Sequence, residues 1–128
     1  NILISVKDQD KKRVLKVARK FVQAGFKIFA TKGTTAFLIE NEIKACEVNK
    51  VRDGRPHIVD KIKNGEIQLI INTVDGNKNS ISDSYSIRRS AVQDRIAYYT
   101  TIPSAWAISS GIEKKDDLEF KCLQELKL

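Results

Sequence analysis

The stretch Phe29-Ala30-Thr31-Lys32-Gly33-Thr34-Thr35 carries residue types suited to holding phosphate. It follows an apolar run (Phe26, Ile28, Phe29) that reads as a buried strand, and it precedes a segment that reads as a helix. Backbone N–H groups at a helix start have no partner inside the helix, and the helix dipole favours negative charge there. Gly33 lets the backbone approach an anion closely, and Thr31, Thr34 and Thr35 bring hydroxyl donors. The chemistry implied is a phosphate cradle. The plainer alternative is a Thr-capped helix, which needs only one of these features.

The elements that must position this loop alternate along the chain. Ile2–Val6 reads as a first strand. Asp10 offers an N-cap to a helix whose Val14, Val17, Ala18, Phe21 and Val22 recur at helical spacing and which Gly25 closes. Phe26–Ala30 is a second strand, Thr34–Asn41 a short helix with Phe37 and Leu38 turned inward, and Ala45–Val48 a third strand. Asp53-Gly54-Arg55-Pro56 makes a turn before a brief helix, Ile58–Lys63, ended by Asn64-Gly65. Glu66–Asn72 is apolar on both faces, as a parallel strand covered by helices on either side would be. The polar loop Asp75–Ser80 leads to a helix over Asp83–Asp94 with Ile87, Ala91 and Val92. A short strand, Ala97–Thr100, and a helix from Pro103 to about Gly111 follow. Leu118–Leu126 alternates as a last edge strand.

This β-α alternation predicts one α/β domain over residues 1–128, a three-layer, Rossmann-like open and mostly parallel sheet with helices on both faces. Ligands of such sheets bind beyond the carboxyl ends of the strands. The residues there are polar: Ser5, Lys7 and Lys11 after the first strand, Thr31 to Thr35 after the second, Asn49 and Lys50 after the third, Asn72 and Thr73 after the fourth. Lysine neutralises phosphate as a compact charge, and Asn72 has the donor and acceptor needed to read a ribose or a base edge. The predicted phosphate site is Ser5, Lys11, Thr31, Lys32, Gly33, Thr34, Lys50, Asn72 and Thr73.

The bulk numbers agree with a phosphorylated ligand. The 128 residues carry a formal charge of +7, 41% hydrophobic and 30% charged residues, and a pI of about 9.5. That balance describes a folded domain with anionic partners. No run is long enough to span a membrane, no signal peptide is evident, and a cytoplasmic setting is expected. Cys46 and Cys122 stand alone without metal-ligand spacing, so reduced buried thiols are expected. The chain lacks methionine and starts at Asn1, which reads as a domain cut from a longer polypeptide. Lys11, Lys12, Arg13, Lys16, Arg19 and Lys20 fall largely on the polar side of one helix and read as a solvated face. No aromatic interleaving marks a nucleic-acid surface.

Several segments in this order resemble the methylglyoxal-synthase-like domains, and among them the C-terminal allosteric domains of carbamoyl phosphate synthase large subunits. They include Leu3-Ile4-Ser5-Val6, Asp10-Lys11, Ala24-Gly25-Phe26, Ala30-Thr31-Lys32-Gly33-Thr34 and Val48-Asn49-Lys50-Val51. Further along are Gly54-Arg55-Pro56-His57-Ile58, Asp60-Lys61-Ile62-Lys63-Asn64-Gly65, Ile70-Ile71-Asn72-Thr73, Ile87-Arg88-Arg89-Ser90-Ala91 and Tyr99-Thr100-Thr101. The resemblance covers nearly the whole chain. It implies a regulatory domain that does no chemistry, has no cofactor of its own and binds a nucleotide monophosphate, UMP as inhibitor or IMP as activator, through Ser5, Lys11, Thr31, Thr34, Lys50 and Asn72. The parent enzyme it implies is a glutamine-hydrolysing, ATP-dependent ligase of pyrimidine and arginine biosynthesis using Mg or Mn. The implied partners are the synthetase domains of the same subunit and the glutaminase small subunit, with neither nucleic acid nor membrane. The chain departs from the enteric pattern at Val74, where Thr stands, and at Asn77, where Arg stands, so UMP, IMP, another phosphorylated metabolite and weakened regulation all stay open.

Two rival readings share parts of the pattern. A methylglyoxal synthase-type lyase would share the fold and the Gly33-Thr34-Thr35 loop, but it needs a carboxylate base placed against the bound substrate. The stretch Thr73-Val74-Asp75-Gly76-Asn77-Lys78 lacks the synthase's Gly/Asp-rich pattern, and Asp75 reads as a turn residue. A basic nucleic-acid-binding module rests on charge alone. His57, the single histidine, reads as a turn residue making a hydrogen bond, Arg88 and Arg89 as structural, and Trp106 as core or domain interface.

Overall fold

The structure, a computed structural model, describes residues 1–50, 54, 56–74 and 78–111. The strands are β1 (Ile2–Ser5), β2 (Ile28–Ala30), β3 (Cys46–Glu47), β4 (Leu69–Asn72) and β5 (Ala97–Tyr99). The helices are α1 (Lys11–Gln23), α2 (Lys32–Glu40), α3 (Ile58–Lys63) and α4 (Lys78–Gln93), with a last helix, α5, over 102–111. A single 3₁₀ turn, Asp8–Asp10, leads into α1. The strands form one parallel sheet in the order β3-β2-β1-β4-β5.

Alternation along β1 explains the layers. Ile2 and Ile4 face one side, where they pack with Val14, Val17, Ala18 and Phe21 of α1, Leu38 of α2, and Ile102 and Ala105 of α5. Leu3 faces the other side, with Ile58 and Ile62 of α3 and Ile87 and Ala91 of α4. The central strands β1 and β4 are apolar on both faces because both faces are covered. The expected three-layer α/β architecture with helices on both faces is therefore present.

The first helix ends as its sequence predicts. Gly25 takes φ +92, its N–H bonds to the Val22 carbonyl and that of Phe26 to the Phe21 carbonyl, the paired bonds of a Schellman cap. The rings of Phe21 and Phe26 meet edge to face, with centroids 5.3 Å apart. Its start differs. Asp10 makes no capping bond to α1 but sits in the 3₁₀ turn, with its buried carboxylate 3.5 Å from Arg13 and 4.0 Å from Lys7.

Two further boundaries move. Helix α2 begins at Lys32 rather than Thr34, directly after the extended residue Thr31, so Gly33 lies in the first turn. Helix α4 begins at Lys78 rather than Asp83 and absorbs the end of the polar loop, since short polar residues suit a helix start. On α4, Val92 is exposed while its neighbour Ala91 is buried, because successive residues of a helix point about 100° apart. Phe37 is half-buried, and Trp106 is 41% exposed, with the Lys20 ammonium 4.8 Å from its ring centre. Cys46 is a half-buried free thiol. The expected strand at Leu118–Leu126, Cys122, Asp53 and Arg55 of the expected turn, and Asp75 to Asn77 of the polar loop lie outside the described residues.

Candidate functional site

The strand order reverses between β1 and β4. The chain passes from β1 outward through β2 and β3, then returns to the other side of β1 for β4. Helices leaving β1 and β4 go to opposite faces, so a crevice opens beyond the carboxyl ends of these strands. Ser5 and Asn72 are register partners at that edge. A cavity of about 230 Å³ sits there, lined by Ser5, Lys7, Asp8, Lys11, Thr31, Gly33, Thr34, Lys50, Asn72, Thr73 and Ser84, with Val6, Ile58, Val74 and Ile87 supplying its apolar surface.

Eight of the nine residues predicted for the site line this one cavity: Ser5, Lys11, Thr31, Gly33, Thr34, Lys50, Asn72 and Thr73. Lys32 does not. It is exposed, and in a helix it projects about 100° around from Gly33, whereas Thr31 and Thr34, three residues apart, share a face. Thr35 is buried with its hydroxyl donating to the Ala30 carbonyl at 2.8 Å, so it fastens α2 to β2 rather than facing the cavity. Asn49 donates to the Pro56 carbonyl at 3.1 Å and ties β3 to the start of α3.

The hydroxyls are oriented by backbone. Thr34 Oγ1 accepts from the Val6 N–H at 3.4 Å, and Thr73 Oγ1 accepts from the Lys7 N–H at 2.9 Å. A hydroxyl that accepts from an amide keeps its own proton to donate. The loop after β1 therefore sets two threonines, one in the first turn of α2 and one just past β4, as donors, which is the sense an anion requires. Thr31 adopts the N-cap backbone of α2, yet its hydroxyl makes no capping bond; it lies 3.4 Å from the Ser5 hydroxyl. The first-turn N–H groups of α2 thus receive no acceptor from Thr31, and the Thr-capped alternative does not describe this helix.

Charge follows the same pattern. Among the described residues, Lys7, Lys11 and Lys50 line the cavity against one carboxylate, Asp8. The Lys11 ammonium lies 2.6 Å from Asp8 Oδ1 and 3.3 Å from where a Cβ on Gly33 would stand. Hydrogen bonding and charge from Lys11 hold the Asp8 carboxyl below its ordinary value. On the far side, Asn72 is buried and its Nδ2 donates to the Tyr98 hydroxyl at 2.8 Å, leaving its carbonyl oxygen available.

Sequence reasoning missed Asp8, Tyr98 and Ser84. Ser84 stands one helical turn before the buried Ile87, and that spacing was a usable signal once α4 was known to face the crevice. His57 behaves as expected of a structural residue: it is buried and caps α3, Nδ1 accepting from Asp60 N–H at 3.4 Å while its own N–H donates to the Asp60 carboxylate at 3.1 Å. Among the described residues no cluster of three or more His, Cys, Asp or Glu could hold a metal ion, and no helix is long and apolar enough to cross a membrane.

Comparison with known proteins gives the same frame. Residues 13–100 match the family described as MGS-like domain. The chain is 46% identical over 125 residues to the carbamoyl phosphate synthase large chain of Neisseria meningitidis serogroup A, covering 98% of this chain and 12% of that protein. It is 50% identical over 123 residues to the large chain of Xanthomonas axonopodis pv. citri, covering 96% and 11%, and 44% identical over 125 residues to that of Pasteurella multocida, covering 98% and 12%. The chain thus spans only about an eighth of the length of these relatives. With its parallel sheet and its match over residues 13–100, the chain belongs to the MGS-like domain family.

Proposed function

We propose that this chain is a regulatory domain that binds a nucleotide monophosphate and does no chemistry itself, working within a glutamine-hydrolysing carbamoyl phosphate synthase large chain. The observation that carries the reading is the convergence of Ser5, Lys11, Thr31, Gly33, Thr34, Lys50, Asn72 and Thr73 on one cavity at the strand-order reversal. The hydroxyls and ammonium groups suit the phosphate, and the Asn72 amide with Ser84 suits a sugar. The cavity is below the roughly 300–1,000 Å³ of pockets that enclose a drug-sized ligand. It suits a phosphate with part of its ribose, the base lying toward the side of Val74.

The other parts of the reading extend the likeness to carbamoyl phosphate synthase large chains. Synthetase domains of the same polypeptide and a glutaminase small subunit are the partners, and ATP with Mg or Mn acts in those other domains. Effector binding favours one arrangement of this domain against its neighbour, with a coupling of about 1–3 kcal/mol as is typical of allosteric sites. A lyase activity would need a carboxylate base directed at the bound substrate. The single carboxylate among the described lining residues is Asp8, which stands exposed at the rim in an ion pair with Lys11.

Calorimetric titration with UMP, IMP and phosphoribosyl pyrophosphate tests the proposal. One of them should bind, and Lys50→Ala should weaken that binding more at low salt than at high salt, since the Lys50 ammonium of a half-buried side chain at an open crevice is still screened by salt. Methylglyoxal formed from dihydroxyacetone phosphate would move the assignment to the lyase. Steeply salt-dependent nucleic-acid binding with no nucleotide binding would move it to a basic module.

A further inference from the structure

Asp8 is out of place in a phosphate site. It is the first residue of the 3₁₀ turn that follows β1, its side chain is 92% exposed, and its carboxylate reaches back to the Lys11 ammonium at 2.6 Å. The same ammonium lies 3.3 Å from the Cβ position of Gly33, against the first turn of α2. One cation therefore bridges the helix start that would receive a phosphate and a carboxylate on the rim. The carboxylate holds part of Lys11's donor capacity, and ammonium has only three N–H groups and one charge to share. An arriving phosphate must draw Lys11 away from Asp8 and also meets Asp8 as a like charge.

We propose that Asp8 is a built-in competitor for the phosphate subsite, a carboxylate that neutralises Lys11 in the empty site and lowers the affinity of the anion that replaces it. The inference rests on the nucleotide-site reading above and concerns the regulation of that site. Because Asp8 is exposed, it swings into solvent with little desolvation, so the competition adjusts the threshold concentration for binding without blocking the site. A dianionic phosphate monoester offers Lys11 twice the charge of Asp8 and displaces it; a monoanion of ordinary carboxylate strength does not. The pair also has a use in the empty state: a cation at the first residue of α1 opposes the helix dipole, and Asp8 offsets it.

The test measures inorganic phosphate and ribose 5-phosphate binding at low salt to the 128-residue chain, to Asp8→Asn, to Lys11→Gln and to the double variant. Asp8→Asn should tighten phosphate binding about two- to five-fold, the range an exposed ion pair supports, and most of that gain should be lost in the Lys11→Gln background, leaving only the small like-charge part. The carboxyl-carbon resonance of Asp8 in the unaltered chain should move with the same midpoint as binding. Equal gains in both backgrounds would overturn the proposal, since Asp8 would then act as a bare charge. A resonance unmoved at saturation, or a loss of ribose 5-phosphate affinity in Asp8→Asn, would overturn it too, the latter making Asp8 an acceptor for a sugar hydroxyl. Phosphate binding to the unaltered chain with no gain in Asp8→Asn removes the competitor role alone. If phosphate, ribose 5-phosphate, UMP and IMP leave both chains unmoved, the nucleotide site itself falls.

Discussion

The Lys7 amide donates to the Thr73 hydroxyl at 2.9 Å, joining the loop after β1 to the end of β4. One residue earlier, the Val6 amide donates to Thr34 on α2. Consecutive N–H groups thus fix threonines from the two neighbours of β1, each with its hydroxyl proton left to give. The sheet edge becomes a set of donors because β1 runs between β4, which Thr73 follows, and β2, whose succeeding helix carries Thr34.

Removing one of these donors should reduce affinity with little loss of structure. Thr34→Ala deletes a hydrogen bond to a charged group, which is worth about 1.5–3 kcal/mol. The bond it also breaks, to Val6 N–H, is long at 3.4 Å. Titration calorimetry should show phosphate-ligand affinity falling about ten- to a hundred-fold, with Thr34→Ser restoring most of it. Unchanged affinity in Thr34→Ala would place the anion elsewhere.

Gly33→Ala should separate stability from binding. The backbone there is helical, so alanine is tolerated and gains up to about 1 kcal/mol of helix propensity. Its Cβ, however, would stand 3.3 Å from the Lys11 ammonium, which must give way. Thermal melting should be unchanged or raised while phosphate affinity drops several-fold. A variant that binds as tightly as the parent would show that Lys11 need not rest against α2.

Tyr98→Phe should affect a sugar more than a phosphate. The Tyr98 hydroxyl accepts from Asn72 Nδ2 at 2.8 Å and Asn72 is buried, so removing the oxygen strips a partner from a buried donor, at a cost of about 1–3 kcal/mol in stability. The freed amide loses its fixed orientation. Nucleotide affinity should fall while inorganic phosphate binding is kept, measured by titrating both ligands against both chains. Equal losses for the two would mean that Asn72 does not read the sugar.

Tyr98 also marks how far the sequence alone reaches. Ser5, Thr31, Thr34, Asn72 and Thr73 were legible because strand-helix alternation fixes which residues follow strand ends, and the edge of a parallel sheet then gathers them. Tyr98 depends on register: it pairs with Ile70, and only that pairing brings its hydroxyl to Asn72, two residues on. Asp8 depends on the 3₁₀ turn replacing the expected Asp10 cap, which swings its carboxylate back to Lys11. Lys32 stands apart from the cavity lining because α2 begins at Lys32 rather than Thr34, and a helical residue's direction changes by about 100° for each step.

The Asp8–Lys11 pair should also appear in the acid range. Lys11 holds the Asp8 carboxyl below the ordinary value of 3.8, so the folded chain gives up that proton more readily than the unfolded one. The stabilisation is complete above the unfolded value and disappears as pH falls through the lower folded value. Urea midpoints of the parent and Asp8→Asn chains should therefore differ by a constant amount from pH 7 to pH 5, the parent being the more stable. Below pH 3.8 the difference should shrink and close as Asp8 takes up its proton. A gap that persists with Asp8 protonated would show that Asp8 stabilises the turn through some interaction other than its charge.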